Sequence, residues 1–474
     1  MLSFLPDIDP AAQDVVTGIY NCIPTFKGYA GSPSAVSSGF DAIGEDAFFG
    51  TSNVMLDGQV RTLVGTATDI YELTGTSWTS RRTAYNATPE IGWSFCQFGN
   101  VTIAANGADA IQQSTGTGAN FTDITGAPSS AIVTTVSPGF VMAFDYDDGV
   151  DELHDGWWCS ALRDHTDWTP SATTQSANGR LVDSPGSINA GLAIGDGVAA
   201  YKQRSIYYGQ YVGGDVIWSW SRVAGNAGCV GKHAVVDAGG VHYFVGVDNI
   251  WMYDGAQPVA IAEGIKEWFY QTVDKQRLYL VQAVYDRERG HVWFFCPSAD
   301  SASLGFAIVY HIPTQRWGYV AESVSAAFAY QQSGVTMDTM TGTFDSLPDI
   351  PFDSPYWQGG VGTMLAVIND TVFSTMSGAT GTSIITSGDY GDDERYTTLR
   401  KVRAHWTQQP QSADIQNFYK SGSGIAWTAG IASTVADQKS DFLHSARWHR
   451  LQLIMFGNHE TVAIKPEIVA NGTR

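Results

Sequence analysis

Short apolar stretches recur along the first two thirds of the chain. Each is followed by a turn containing Gly, Asp or Asn and then by a second stretch that carries an aromatic residue. The pattern is clearest in residues 241–253, VHYFVGVDNIWMY, and it recurs at 63–71, 101–111 and 198–207. Short strands at regular spacing, with aromatic and turn residues at equivalent positions, are typical of β-propeller blades. We therefore predict an all-β fold built on a β-propeller of six or seven blades.

One segment of the chain has the periodicity of a helix. In residues 263–273, the apolar Ile265, Trp268, Phe269 and Val273 fall at i, i+3, i+4 and i+8. This spacing places the four side chains on one face of a helix. We predict one short amphipathic helix in a chain that is otherwise built from strands.

Four segments of different composition give the predicted domain organisation. Residues 1–36 form an extended N-terminal arm, because the prolines of PDIDP at its start remove hydrogen-bond donors and restrict their neighbours. Residues 37–330 form the β-propeller. Residues 331–360 are a Pro-rich strap with an extended backbone, and residues 361–474 form a β-rich, sandwich-like platform domain. We expect the arm to be mobile or to lie against another domain or subunit.

Alternating residues support the assignment of the C-terminal segment to a sandwich. A strand that alternates between apolar and polar residues has one packed face and one solvated face. The apolar Val402, Ala404 and Trp406 alternate with the polar Lys401, Arg403 and His405. This pattern predicts that the first three side chains enter the core of the platform domain and the other three face solvent.

The charge of the chain is strongly negative and unevenly distributed. The formal net charge is -21. From residue 381 onward, ten Lys and Arg residues nearly balance nine Asp and Glu residues, which leaves 16 basic and 38 acidic residues in the preceding part. Nucleic-acid binding relies on Lys and Arg to neutralise phosphates. We therefore expect no binding to DNA or to an anionic membrane. The acidity of the preceding part serves either the solubility of a large surface or an acidic wall that repels an anionic partner.

The cysteine pattern argues against a disulfide framework or a zinc site. The chain has five cysteines without CxxC spacing, at positions 22, 96, 159, 229 and 296. An odd and scattered set of this kind indicates buried free thiols in a reducing compartment.

The N-terminus lacks a basic segment followed by a long apolar one, so we expect no signal peptide, and no apolar run approaches the length of a membrane span.

The acidic run Asp145–Asp155 (DYDDGVDELHD) is the best candidate for a cation site in the sequence. Several carboxylates in a short loop are the ligands that Ca²⁺ prefers. However, Gly149 occupies the fifth position counted from Asp145, where an EF-hand loop has a ligand. The sequence leaves both a cation site and a solvated loop open.

Catalytic motifs are absent from the sequence. The pair in DHTDW at 164–168 superficially resembles a His-Asp arrangement, but no GxSxG motif or other placed nucleophile accompanies it. As the closing turn of a blade, this segment needs no further role. The ten histidines lack HExxH spacing, and no phosphate-binding glycine motif is present. We predict that the protein is not an enzyme, with no catalytic, cofactor-binding or metal-binding residues and no cofactor.

Several segments together resemble the tail nozzle proteins of short-tailed bacteriophages, the group that includes packaged-DNA stabilisation proteins. The segments are residues 6–10 and 23–33 of the arm, 344–357 (FDSLPDIPFDSPYW) of the strap, 387–395 with the basic strand that follows, and the turn at 247–255. The resemblance spans most of the chain and rests on the order of these segments. This family contributes no catalytic residues.

The resemblance implies a structural virion protein. Each subunit would contain a propeller and a β-rich platform, and six subunits would form a head-to-tail ring below the portal-adaptor protein. Double-stranded DNA would pass through the bore without specific binding, and the ring would help to retain the packaged genome. Tail fibre, spike or needle proteins would be further partners. The protein would be assembled in the host cytoplasm and located in the phage tail.

Two other functions remain open at the level of sequence. A propeller glycosidase or depolymerase would need two carboxylates about 5–9.5 Å apart on the propeller axis. A glycan-binding or receptor-binding propeller would have similar pockets in successive blades, whereas the repeats in this chain differ from one another.

Overall fold

The chain folds almost entirely into strands. The structure is a computed structural model, and it describes residues 2–12, 14–298, 303–331, 363–422 and 424–471. Within these ranges there are 39 strands, one α-helix and one 3₁₀ turn. The predicted all-β fold, with a propeller and an additional β-rich platform, is confirmed, and the propeller has seven blades.

The first 37 residues form five short strands that belong to three different parts of the molecule. These strands are β1 (Ser3–Phe4), β2 (Val15–Tyr20), β3 (Cys22–Pro24), β4 (Tyr29–Gly31) and β5 (Ser34–Ser37). The first two add to a platform sheet, the next two bridge the platform to the sixth blade, and the last joins the seventh blade. The predicted arm is therefore laid against other parts of its own chain.

Blades one to three are four-stranded antiparallel sheets formed by consecutive strands. Short, half-buried strands separated by Gly- and Asp-containing turns produce this arrangement. The strands are β6 (Phe49–Val54), β7 (Val60–Gly65), β8 (Ile70–Thr74), β9 (Ser77–Arg82), β10 (Ser94–Phe98), β11 (Val101–Ala105), β12 (Gln112–Ser114), β13 (Thr122–Asp123), β14 (Ser129–Val136), β15 (Phe140–Asp147), β16 (Glu152–Cys159) and β17 (Ala177–Arg180).

Blades four to six continue the same arrangement, and a helix precedes the sixth blade. The strands are β18 (Ile188–Ile194), β19 (Gly197–Lys202), β20 (Ile206–Gly213), β21 (Ile217–Arg222), β22 (Val235–Asp237), β23 (His242–Val245), β24 (Ile250–Tyr253), β25 (Val259–Ala260), β26 (Gln282–Asp286), β27 (His291–Pro297), β28 (Leu304–His311) and β29 (Arg316–Val320). Helix α1 (Lys266–Thr272) and the 3₁₀ turn Leu278–Leu280 lie between β25 and β26. The predicted helix is confirmed, and Ile265 and Phe269 on its apolar stripe are fully buried.

The seventh blade joins strands from both ends of the chain. Its strands are β30 (Ala326–Gln331), β31 (Thr363–Asn369) and β32 (Val372–Gly378), and β5 completes it as the outer strand. The predicted boundaries at 330 and 361 therefore need correction, because 363–378 belong to a blade and not to the platform. A ring of sheets closes only when its last sheet is complete, and the missing strand comes from the N-terminal arm. The predicted strap, 331–360, lies outside the described residues apart from Gln331.

The platform is a sandwich of two sheets. Its strands are β33 (Thr382–Gly391), β34 (Thr397–Gln408), β35 (Ser412–Lys420), β36 (Thr428–Thr434), β37 (Lys439–Ala446), β38 (Trp448–Phe456) and β39 (Glu460–Ala470). One sheet has the order β1-β2-β33-β38-β35-β36. The other continues the sixth blade through the β3-β4 hairpin into β39-β34-β37 and so contains nine strands.

One apolar core connects the platform to the propeller. Val402 and Ala404 of β34 and Leu453 of β38 are fully buried and belong to the same cluster as Phe294 of the sixth blade. The predicted alternation along β34 is confirmed at Val402 and Ala404, whereas Trp406 is only partly buried. The platform is therefore packed against blade six rather than tethered by a linker.

Candidate functional site on the propeller axis

A cavity of about 170 Å³ lies where the inner strands of six blades begin. Phe48 precedes the first blade, Gly92 the second and Gln282 begins the sixth, and all three line the cavity. Segments from so many blades meet only near the propeller axis. A cube of this volume would have edges of about 5.5 Å, whereas the major groove of DNA alone is about 12 Å wide. The cavity itself is therefore too small for a DNA duplex.

Residues 228–234 form an axial plug that crosses the cavity. The plug connects blade four to blade five, and it bonds to blades on the other side of the axis. The Cys229 amide donates to the Lys202 carbonyl of blade four at 3.0 Å, and the His233 carbonyl accepts from the Ala283 amide of blade six at 2.7 Å. Gly231 packs so closely on the Tyr279 carbonyl that a Cβ would overlap it. The plug holds distant blades together.

The Lys232 side chain is the most unusual group in the cavity. Its Nζ donates to the carbonyls of Gly92 at 3.2 Å and Ala131 at 2.9 Å, which join blades two and three. Burial of the ammonium group lowers the pKa of Lys232 to about 7, and the charge of Asp145 opposes this shift. The cavity therefore contains an amine that is partly neutral near neutral pH.

His233 anchors the other side of the plug. Its ring stacks on Phe49 with the ring centroids 3.5 Å apart. Its Nε2 lies 2.7 Å from the Trp93 carbonyl, which makes this nitrogen the donor. Burial, together with the nearby charge of Lys232, lowers the pKa of His233 well below its usual range. The neutral ring links the plug to blades one and two.

The acidic run Asp145–Asp155 forms the β15-β16 hairpin of blade three. Asp145 lines the axial cavity, where its Oδ1 lies 2.6 Å from Nδ1 of His154. Burial raises the pKa of Asp145, and the Asp145 hydrogen bond raises the pKa of His154. Among the described residues, no three His, Cys, Asp or Glu side chains are grouped so that they could hold a metal ion. The run is divided between the cavity wall and an exposed hairpin tip.

The other side chains that the sequence suggested as candidates for chemistry, at 164–168 and at the five cysteines, have structural roles. Nε2 of His165 lies 2.7 Å from Oε1 of Gln113, and the Asp164 carboxylate accepts hydrogen bonds from Thr166. The Trp168 indole is buried and donates to the His165 carbonyl at 2.9 Å. This segment is a closing turn of blade three. All five cysteines are buried free thiols, as the sequence predicts.

The sequence did not identify the plug. The segment 228–234, GCVGKHA, has no known motif, and its side chains act through carbonyls of distant blades. Its two glycines, Gly228 and Gly231, are the available signal, because glycine without a turn marks a close approach of two backbones.

Within the described part of the chain, no helix has the length and apolar character needed to span a membrane.

Comparison with known proteins gives no family for this chain. No family model matches it, and no curated protein matches it. Among solved structures, the chain is similar to YCF48 bound to D1 peptide, with 12% sequence identity, 75% of this chain and 96% of that chain covered, and a TM-score of 0.38. At this TM-score, the similarity carries no argument about function.

Proposed function

We propose that this protein is a structural virion protein, the hexameric tail nozzle of a short-tailed bacteriophage. It would sit below the portal-adaptor complex, form the exit channel for DNA and help to retain the packaged genome. The observation that carries the proposal is the uneven charge of the chain, with 38 acidic and 16 basic residues before position 381. A negative wall lets a polyanion pass without sticking, within about 8 Å of the wall at physiological salt.

The closed propeller axis supports a channel between subunits. The axial plug leaves no passage for DNA through a single propeller, because Lys232 and His233 reach from the connection between blades four and five to the Gly92 and Trp93 carbonyls at the start of blade two. A DNA channel in this protein would therefore need several copies around a common axis. A ring of head-to-tail contacts satisfies that need, whereas a two-fold dimer does not.

The experiment that tests the proposal is a measurement of assembly. The mass of the purified protein would be measured in solution, alone and after mixing with portal-adaptor complexes from short-tailed phages. The particles would then be imaged in negative stain and class-averaged. We expect a ring of six copies, formed in solution or on the adaptor, and no binding to a portal that lacks its adaptor. The proposal would be contradicted if the protein stays monomeric, binds no adaptor and is absent from virions.

One observation favours a second function, a propeller active on glycans. Two carboxylates, Glu90 and Asp145, line the axial cavity, which is where this alternative requires a pair. The discriminating experiment is a screen for cleavage of cell-surface glycans by the native protein and by Glu90→Gln and Asp145→Asn variants. Cleavage that both substitutions abolish would favour the enzyme, and no cleavage of any glycan would remove it.

A further inference from the structure

Three cations stand in a row across the outer face of the platform. In the nine-stranded sheet, Arg403 of β34 is directly paired with Lys439 of β37 on one side and with Lys465 of β39 on the other. Directly paired residues project from the same face of a sheet, with Cβ atoms about 4.5–5.5 Å apart. Like charges at this separation destabilise a sheet, so the row has a cost in the isolated chain.

Among the described residues, none is a counterion of the three cations. In the described residues, the side chains of Arg403, Lys439 and Lys465 make no ion pair and no hydrogen bond. The row beside them is different, because Lys401 is paired with Asp441 and Glu467 and lies 3.9 Å from the Asp441 carboxylate. Of these two neighbouring rows, only the first lacks compensating charge among the described residues.

A large apolar residue lies beside the cations. Along β37, Ser440 is buried and Phe442 packs against the core, so Lys439, Asp441 and Leu443 project from the outer face. The side chain of Leu443 is 89% exposed. We call Arg403, Lys439, Lys465 and Leu443 the cationic face. Asp441 lies between Lys439 and Leu443 along β37, so the exposed leucine lies next to the cationic row and not within it. Positive charge near an exposed leucine is suited to a partner with negative charge near an exposed apolar residue.

The tip of the β15-β16 hairpin has this complementary chemistry. Asp147, Asp148, Asp151 and Glu152 surround Val150, which is 87% exposed. The Asp148 carboxylate accepts from the amides of Val150 and Asp151, both at 2.9 Å, and these bonds lower its pKa. We call residues 147–152 the acidic tip. It is a rigid group of carboxylates with an apolar residue at its centre.

The two surfaces lie on different sides of the molecule. The acidic tip belongs to blade three, and a platform sheet continues the sheet of blade six. In a ring of seven blades, blade three is three places from blade six, which is nearly across the axis. Contact between two such surfaces would join different copies of the chain. A heterologous contact of this kind produces a ring or a filament.

We propose that the cationic face of one subunit binds the acidic tip of the next copy of this chain, with Leu443 packed against Val150. This inference rests on the proposed function, because it identifies the head-to-tail contact of the ring. The carboxylates of the tip neutralise the row of Arg403, Lys439 and Lys465. Charge complementarity also orients the two copies and rejects like-charged partners.

Disulfide trapping tests the contact directly. A Val150→Cys variant and a Leu443→Cys variant would be mixed at low salt and oxidised, and the product would be analysed without reducing agent. The native cysteines are buried and do not compete. The control is Val216→Cys in place of Val150→Cys, because Val216 is also exposed, at 67%. We expect a linked dimer from the first mixture, at least tenfold above the control. A yield equal to the control overturns the proposal.

Charge reversal separates this contact from the function itself. Adding Arg403→Glu and Lys439→Glu to the Leu443→Cys variant should lower the yield about tenfold. A partner that carries Asp148→Lys and Asp151→Lys beside Val150→Cys should restore it, and a failure of this rescue contradicts the proposal. If a ring forms on the adaptor but no dimer is trapped, the proposed nozzle function is supported and the proposed contact between subunits is wrong. If a dimer is trapped but the protein binds no adaptor, the proposed contact is supported and the proposed nozzle function is wrong.

Discussion

At the scale of single residues, the propeller is stabilised by polar side chains that reach between blades. Lys232 donates to carbonyls of two blades, and Arg61 of blade one donates to Thr102 Oγ1 of blade two at 3.2 Å. Buried polar groups of this kind are stable only when each has a partner. Removing one of these groups should therefore lower the free energy of unfolding by more than removing an exposed charge does.

The pKa of Lys232 predicts how stability depends on pH. The native pKa is about 7 and the unfolded value is 10.5, so the unfolded chain binds the extra proton between these values. Stability from this group therefore rises as the pH rises from 7 towards 10.5 and is lost as the pH falls through that range. Between pH 7.5 and 9, we expect the free energy of unfolding in urea to rise by about 2 kcal/mol.

A substitution isolates this effect. Lys232→Met removes the titrating group, so the gain between pH 7.5 and 9 should disappear relative to the native protein. Lys275→Met, at an exposed lysine, is the matched control and should keep the gain. An unchanged pH dependence in the Lys232→Met variant would show that the amine is charged in the native state.

Glu72 should be essential for the stability of blade one. Its carboxylate accepts from Arg61 at 3.2 and 3.1 Å and from Arg81 at 2.6 Å, and the Arg61 side chain is completely buried. Glu72→Gln leaves the Arg61 charge without its partner, which typically costs about 3–5 kcal/mol. The measurement is urea unfolding.

The control for Glu72 is a pair at the surface. Arg180 and Asp155 lie 2.7 Å apart, and the Arg180 side chain is 54% exposed. Solvent screens this pair, so Asp155→Asn should cost no more than about 1 kcal/mol. Equal costs for the two substitutions would contradict the importance assigned to burial.

At the scale of elements, the N-terminal arm completes structures that the rest of the chain leaves unfinished. Its strand β5 closes the seventh blade, and its β3-β4 hairpin joins the sixth blade to the platform. It also supplies the cap of α1, whose own N-cap residue, Ile265, makes no side-chain hydrogen bond to the helix. A short helix with free amides at its start gains stability from a carboxylate placed there.

Asp7 is that carboxylate. It accepts from the amides of Glu267 at 2.6 Å and Trp268 at 2.9 Å. Asp7→Ala should cost about 1 kcal/mol and should increase cleavage of the arm in limited proteolysis. Asp9→Ala is the control, because the Asp9 carboxylate accepts only from the nearby Ala11 amide among the described residues. This substitution should leave cleavage unchanged. Equal cleavage of the two variants would refute the long-range cap.

At the scale of the whole molecule, the propeller and the platform should unfold together. The nine-stranded sheet runs from the sixth blade into the platform, and a single apolar cluster contains residues of both. The guanidinium of Arg316 adds three bonds from blade six to the arm carbonyls of Leu2, Thr25 and Phe26. We expect one main transition in scanning calorimetry. A separate peak for the platform at lower temperature would contradict this expectation.

The sequence was most informative where the pattern is local. The 3.6-residue spacing at Ile265 and Phe269 predicts α1, and the alternation at Val402 and Ala404 predicts a strand with a packed face. Both follow from contacts that an element makes along its whole length, so they leave a periodic signal. The boundary at 361 failed because β31 and β32 look like any other strands. Their membership of a blade depends on pairing with β5, more than 300 residues away.

The fold class, the repeated strands, the buried thiols and the uneven charge could all be predicted from the amino-acid sequence. These properties depend on composition and on short-range periodicity, which each segment carries within itself. The three-dimensional structure was needed to show that there are seven blades, that β5 closes the last one, that Lys232 crosses the axis and that Lys439, Arg403 and Lys465 form one row. Each of these features is a contact between segments distant in sequence, and such contacts leave no periodic pattern in either segment.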